Sequence, residues 1–114
     1  MPRSKYDLGF SLKNVVYFEL LRRGYQVYIG KLGNTEVDFV ARGQDALSYI
    51  QVTANMTAEE TFEREMRPLR AIHDNYEKTV LTLDRFSTGN YAGTRVVNVI
   101  DWLMKKTSEE AIVP

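Results

Sequence analysis

The spacing of apolar residues changes along this chain, and each spacing predicts a different kind of element. From Phe10 to Arg23 apolar residues recur at three- and four-residue intervals, as in a buried amphipathic helix. Ser11 is a candidate N-cap, and Gly24 suits the left-handed residue that ends many helices. The pattern therefore predicts a first helix over residues 10–23.

Three strands are predicted next, because apolar and polar residues alternate over three consecutive short stretches. The stretches are residues 25–31, 35–41 and 47–53. Turns that contain Gly33 and Gly43 separate them. Such short connections join antiparallel neighbours, so the three strands are expected to form a meander.

A second helix is predicted over residues 57–72. Thr57, followed three residues later by Glu60, fits a capping box at its start. Pro68 is expected to kink this helix or end it early, because proline has no N–H and clashes with the preceding turn.

Two further strands and a short terminal helix complete the expected order. They cover residues 79–83, 94–99 and 101–105, and a loop that contains Gly89 and Gly93 joins the two strands. A crossover helix joins parallel strands, whereas hairpins are antiparallel. The order therefore predicts an α/β fold with a mixed sheet between helices.

Composition limits the function classes. The 114 residues are expected to form one domain, residues 1–114. The 15 basic and 15 acidic residues balance, which gives no electrostatic reason to expect binding to nucleic acid or to an anionic membrane. The absence of cysteine excludes disulfides and thiolate sites and favours a cytoplasmic location, and the lone His73 excludes a multi-histidine metal site. No apolar run reaches the ~18 residues of a membrane span.

The second and third predicted strands carry the candidate chemistry. Strict alternation would place polar side chains on one face of the sheet: Glu36, Asp38, Gln51 and Thr53. It would place apolar side chains on the buried face: Val37, Phe39, Ile50 and Val52. Carboxylate and amide oxygens suit a hard divalent cation, which can activate water and clamp a phosphodiester. On spacing alone, the alternation favours a simpler interpretation: Glu36 and Asp38 lie on a solvated face with no chemistry.

The order of elements resembles the core of the restriction-endonuclease-like superfamily, whose enzymes carry a PD-(D/E)xK motif. More specifically, the chain resembles the C-terminal domain of unknown function of many bacterial and archaeal AAA-type ATPases. The matching stretches are residues 14–25, 36–40, 49–53, 63–65, 68–69, 74–76 and 98–103. The resemblance implies an α-β-β-β-α-β core with an extra C-terminal strand and short helix. It also implies an ATPase domain as neighbour or partner.

The nuclease motif is only partly retained. Asp38 matches the strand aspartate that would bind metal, and Gln51 stands at the position of the second acid. Thr53 replaces the expected lysine, and Lys13 stands where many such sites have a helix glutamate. Asp38, Gln51, Thr53 and Lys13 are therefore the degenerate catalytic positions. The resemblance implies Mg²⁺ or Mn²⁺, held by Asp38, Gln51 and Glu36, only if the site is active.

Three functions follow as expectations. The first is a non-catalytic interaction or regulatory module that needs no cofactor and associates with an ATPase or another protein. The second is a metal-dependent nuclease that uses Asp38, Gln51 and either Glu36 or Glu19, with Lys13 as the cation. The third is a nucleic-acid-binding module without catalysis, which the neutral charge does not support. The sequence leaves homodimer formation open.

Overall fold

A mixed six-stranded sheet flanked by helices forms the centre of the molecule. The computed structural model describes residues 5–104, with side chains described for residues 12–31 and 33–104. The elements are α1 (Lys5–Arg22), β1 (Gln26–Leu32), β2 (Thr35–Arg42), β3 (Leu47–Thr53), α2 (Glu59–Arg70), β4 (Glu77–Thr82), β5 (Gly89–Tyr91) and β6 (Thr94–Asn98). Residues 99–104 are also helical; position 105 of the expected terminal helix lies outside the described residues.

The strand order in the sheet is β1-β2-β3-β4-β6-β5. The first three strands pair antiparallel, β3, β4 and β6 are mutually parallel, and β5 pairs antiparallel with β6. The helix α2 is the crossover that parallel β3 and β4 require. The expected α/β class, meander and mixed sheet are thus confirmed. The expectation of a loop at residues 89–91 is wrong, because glycine and asparagine have low strand propensity and concealed this three-residue strand.

The start of α1 differs from the sequence prediction, whereas its end agrees with it. The helix begins at Lys5 rather than Phe10, so Ser11 lies inside it and is not its N-cap. The expected stop is confirmed, since Gly24 has φ +93°. The Gly24 N–H donates to the Leu21 carbonyl at 3.0 Å, which satisfies a carbonyl of the last turn.

The capping box expected for α2 is wrong. The N-cap is Ala58, which provides no side-chain hydrogen bond. Thr57 instead donates its hydroxyl to Oδ2 of the buried Asp84 at 2.9 Å, because β4 ends beside the start of α2. Pro68 does not end the helix, which continues to Arg70. Pro68 lies in the last turn of α2, where the loss of one backbone hydrogen bond affects only the end of the helix.

Each face of the sheet carries an apolar cluster. The cluster on the α2 side contains Val37, Tyr49, Met56, Met66, Leu69, Ile72, Val80 and Val96. The cluster on the α1 side contains Val16, Leu20, Ala41, Ile50, Val52, Leu81 and Val99, with Phe39 and Trp102 packed against it. Both faces of the sheet are therefore buried, as helices on both sides require.

A β-bulge overturns the expected alternation on β2. Tyr28 pairs with Val40, but Gly30 pairs with Val37, so two steps along β1 correspond to three along β2. The extra residue reverses the sides of the strand at this point. The prediction that Val37 and Phe39 share the face of Ile50 and Val52 is confirmed for Phe39. It is wrong for Val37, which packs on the α2 side.

No helix within residues 5–104 is both long enough and apolar enough to cross a membrane.

Candidate functional site between β2 and β3

Where β2 and β3 separate, hydrogen bonds from side chains take the place of main-chain hydrogen bonds between the strands. The pairing of the two strands ends at Phe39 and Ile50. Beyond that point the Val52 N–H donates to Asp38 Oδ2 at 2.9 Å, and the Asp38 N–H donates to Gln51 Oε1 at 2.8 Å. The Asp38 and Gln51 side chains thus hold together the gap between the two strands.

Gln51 also connects this gap to α2. Its side chain is buried, and Nε2 donates to the Glu65 carbonyl at 3.2 Å and to Glu65 Oε1 at 3.3 Å. Both ends of the amide are therefore engaged inside the protein. A buried amide with satisfied hydrogen bonds fixes the positions of its neighbours.

Lys13 approaches the gap from α1. Its Nζ lies 3.2 Å from Asp38 Oδ1, and the two side chains are 45% and 22% exposed. The ion pair is thus open to water on the Lys13 side, so it is worth at most about 1 kcal/mol of stability. Its main consequence is electrostatic, since it places a positive charge beside the Asp38 carboxylate.

Glu65 is the member of this group that sequence reasoning missed. Burial raises its pKa, and the nearby Asp38 carboxylate raises it further, while Arg64 and Lys13 act in the opposite direction. The sequence contained one signal, because Glu65 stands three residues after Phe62 and directly before Met66, beside the apolar stripe of α2. We call Lys13, Asp38, Gln51 and Glu65 the gap cluster.

Two other residues named from the sequence, Thr53 and Glu36, lie outside the gap cluster. Thr53 donates its hydroxyl to the Asn55 carbonyl at 3.1 Å. Glu36 is exposed and lies opposite Lys31 on β1. Asp38 and Gln51 are in contact, but the expectation that all four polar residues share one face is wrong. The bulge reverses the sides of β2, so Val37, not Glu36, lies on the α2 side with Gln51.

Glu19 has a separate role at the end of α1. Its carboxylate accepts hydrogen bonds from Arg22 at 3.0 Å and from Arg23 at 2.8 Å. The Arg22 hydrogen bond is the largest influence on Glu19, and together with Arg23 it outweighs burial and lowers the pKa of Glu19 to about 2. Glu19 therefore belongs to an ion-pair group and not to the gap cluster.

The gap cluster does not fit a divalent cation while Lys13 contacts Asp38. Both Asp38 oxygens and the Gln51 oxygen already accept hydrogen bonds or an ion pair. Mg²⁺ and Mn²⁺ prefer several oxygen donors, and an ammonium group at the same carboxylate repels them. Within the described residues, no group of three or more histidine, aspartate or glutamate side chains is arranged to hold a metal ion.

Comparison with known proteins adds one relative. No protein-family model matches this chain. The chain is 42% identical over 94 residues to an uncharacterized protein of Haemophilus influenzae. The match covers 82% of this chain and 23% of the relative, so the chain spans about a quarter of the relative's length.

Proposed function

We propose that this chain is a restriction-endonuclease-like domain with a degenerate metal site, serving as a non-catalytic interaction or regulatory module of a longer protein. The observation that carries the proposal is the contact of Lys13 Nζ with Asp38 Oδ1 at 3.2 Å. This contact puts a positive charge where a metal-dependent nuclease needs an available carboxylate.

The other motif positions support the same conclusion. Gln51 has no charge to offer a metal, and its amide is used at both ends in internal hydrogen bonds. Thr53 provides no amine near Asp38. Losing one donor that stabilises developing charge typically costs a factor of about 10²–10³ in rate. Together these substitutions favour a structural use of the old site positions.

The topology and the relative support the rest of the proposal. The order α1-β1-β2-β3-α2-β4, with β3 and β4 parallel, agrees with the core that the resemblance implies. Most of the Haemophilus influenzae relative lies outside the match, as expected for a domain that functions within a longer chain. An AAA-type ATPase is the partner that the resemblance implies.

Calorimetric titration with MnCl₂ and with MgCl₂ tests the proposal. We expect no binding in the micromolar range for the wild-type chain, and the same result for Asp38→Asn. Micromolar binding that disappears in Asp38→Asn but persists in Glu36→Gln would contradict the proposal, because Glu36 lies outside the gap cluster.

The gap cluster also favours a second candidate, a metal-dependent nuclease with a rearranged site. Glu65 brings a second carboxylate near Asp38, and Lys13 brings a cation, although both come from unexpected positions. Such an enzyme would require Lys13 to move away from Asp38 before a metal could bind. Incubation with plasmid, single-stranded DNA and RNA in the presence of Mn²⁺ tests this candidate. Cleavage that Asp38→Ala abolishes would support it, and no cleavage of any substrate would exclude it.

A further inference from the structure

The two edges of the sheet are protected to different degrees. The edge strand β5 has only three residues and contains glycine and asparagine, which suit a short strand that resists pairing with other chains. The edge strand β1 has seven residues, no proline and one charged residue, Lys31. Natural sheets usually protect such a long edge, and Lys31 is the one charged residue that does so here, near the end of the strand. A long edge with so little protection favours a pairing partner.

An exposed apolar surface leads from α1 to this edge. Val15, Phe18 and Leu21 stand at three-residue spacing on α1 and are 46%, 63% and 42% exposed. Ile29 on β1 is 71% exposed. We call these four side chains the α1–β1 surface.

Aromatic contacts lead from α1 to β2, the neighbour of β1. The Phe18 ring meets Tyr17 edge-on at 5.4 Å, and Tyr17 stacks on Phe39 at 6.0 Å. The β1–β2 register places Ile29 opposite the bulge that contains Phe39. Ile29 is two residues from Val27 in β1, so both lie on the α1 side of the sheet, where Val27 packs. The exposed residues of α1 and of β1 therefore belong to one side of the molecule.

We propose that β1 pairs antiparallel with β1 of a second copy of this chain, about a two-fold axis at Ile29. An edge strand is self-complementary in this arrangement, because antiparallel pairing is compatible with two-fold symmetry. The axis places Ile29 opposite Ile29 and Lys31 opposite Val27. The two Lys31 residues then lie about 13 Å apart along the strands, beyond the Debye length of about 8 Å.

The exposed area agrees with a dimer. At the exposed fractions given above, the α1–β1 surface presents apolar area on the order of 400 Å². The largest patch on a typical monomer is about 300–600 Å² and is often functional. A standard interface buries about 800 Å² per partner. The free edge of β1 and the half-exposed Tyr28 on the other face of the sheet can supply much of the remaining area.

Sedimentation velocity of the 114-residue chain between about 1 and 100 µM tests the dimer. We expect a reversible monomer–dimer equilibrium that Ile29→Lys weakens at least tenfold. Phe86→Lys is the matched control, because Phe86 is 94% exposed on the segment after β4, away from β1, and should leave the equilibrium unchanged. A wild-type chain that stays monomeric throughout, as when another part of a longer protein covers β1, would overturn the proposal. Dimerisation of Ile29→Lys at wild-type strength would also overturn it.

Hydrogen exchange tests the same interface without a substitution. Amides of residues 26–32 in the wild-type chain should exchange more slowly at the high concentration, whereas amides of β5 should not change. Exchange in β1 that is independent of concentration would contradict the pairing of this edge.

Discussion

At the scale of single residues, the Gln51 side chain accepts a hydrogen bond that main-chain carbonyls accept elsewhere in the sheet. It accepts the Asp38 N–H at the point where the strands separate, and it bonds to Glu65 on α2. One side chain thereby joins β2, β3 and α2. Both ends of the Gln51 amide therefore have a structural use.

Gln51→Leu should reduce the free energy of unfolding by about 2–3 kcal/mol. The substitution keeps the volume roughly constant but removes the acceptor of the Asp38 N–H and the amide's hydrogen bonds to Glu65. An unsatisfied buried group costs about 1–3 kcal/mol. Urea unfolding followed by circular dichroism measures the change. Gln44→Leu, at an exposed turn position, is the control and should change stability by less than about 0.5 kcal/mol. An equal effect of the two substitutions would refute the structural role.

Glu19→Gln should destabilise the protein in a way that depends on pH. The folded-state pKa of about 2 lies below the ordinary value of 4.5, so the charged form contributes stability above pH 4.5 and loses it as the pH falls towards 2. We expect a loss of about 1–2 kcal/mol at pH 7, because charge-assisted hydrogen bonds to two arginines disappear. The difference between variant and wild type should shrink as the pH falls towards 2 and close below it. A difference independent of pH would contradict the ion-pair explanation, and the exposed Glu36→Gln serves as control.

At the scale of elements, the bulge in β2 determines where the candidate site lies. It places Asp38 between the two strands and sends Val37 to the α2 side. Gly30 on β1 faces this bulge, and a Cβ there would lie 2.8 Å from Val40 Cγ2 and 3.2 Å from Val37 Cβ. The bulge therefore depends on a residue without a side chain on the neighbouring strand.

Gly30→Ala should lower the free energy of unfolding by about 1–3 kcal/mol. The added methyl group overlaps two β-branched side chains that have little freedom to move. Thermal unfolding measures the loss, and the exposed neighbour Lys31→Ala is the control. A stabilising effect of Gly30→Ala, as expected from reduced unfolded-state entropy alone, would show that the bulge adapts without strain.

At the scale of the whole molecule, the gap cluster joins both helical layers to the sheet. Lys13 comes from α1, Glu65 from α2, and the two middle residues come from adjacent strands. Such an arrangement suits a cluster that stabilises the fold as a unit. It also keeps the positive charge of Lys13 close to the only two carboxylates of the cluster.

Divalent metal should therefore leave the stability of the whole protein unchanged. A ligand that binds only the folded state at 100 times its Kd stabilises it by about 2.7 kcal/mol, so even moderate binding would raise Tm visibly. We expect equal Tm values with EDTA and with millimolar MnCl₂. A rise in Tm with Mn²⁺ that is absent in Asp38→Asn would show that the gap cluster binds metal after all.

The local pattern of the sequence determined the α/β class, the meander, the crossover helix and the Gly24 stop. These features depend on spacing and on turn chemistry within a few residues, and a single chain displays both. The sequence also brought Asp38 and Gln51 together, because two neighbouring strands of a meander must pair.

Only the tertiary structure decided which side chains surround Asp38. The bulge is a feature of the pairing between β1 and β2, and no single residue of β2 predicts it. Lys13 and Glu65 reach the gap because two helices pack on opposite faces of one sheet, and that geometry is set by contacts between residues far apart in the chain. Periodicity identifies the elements, whereas register and packing place their side chains.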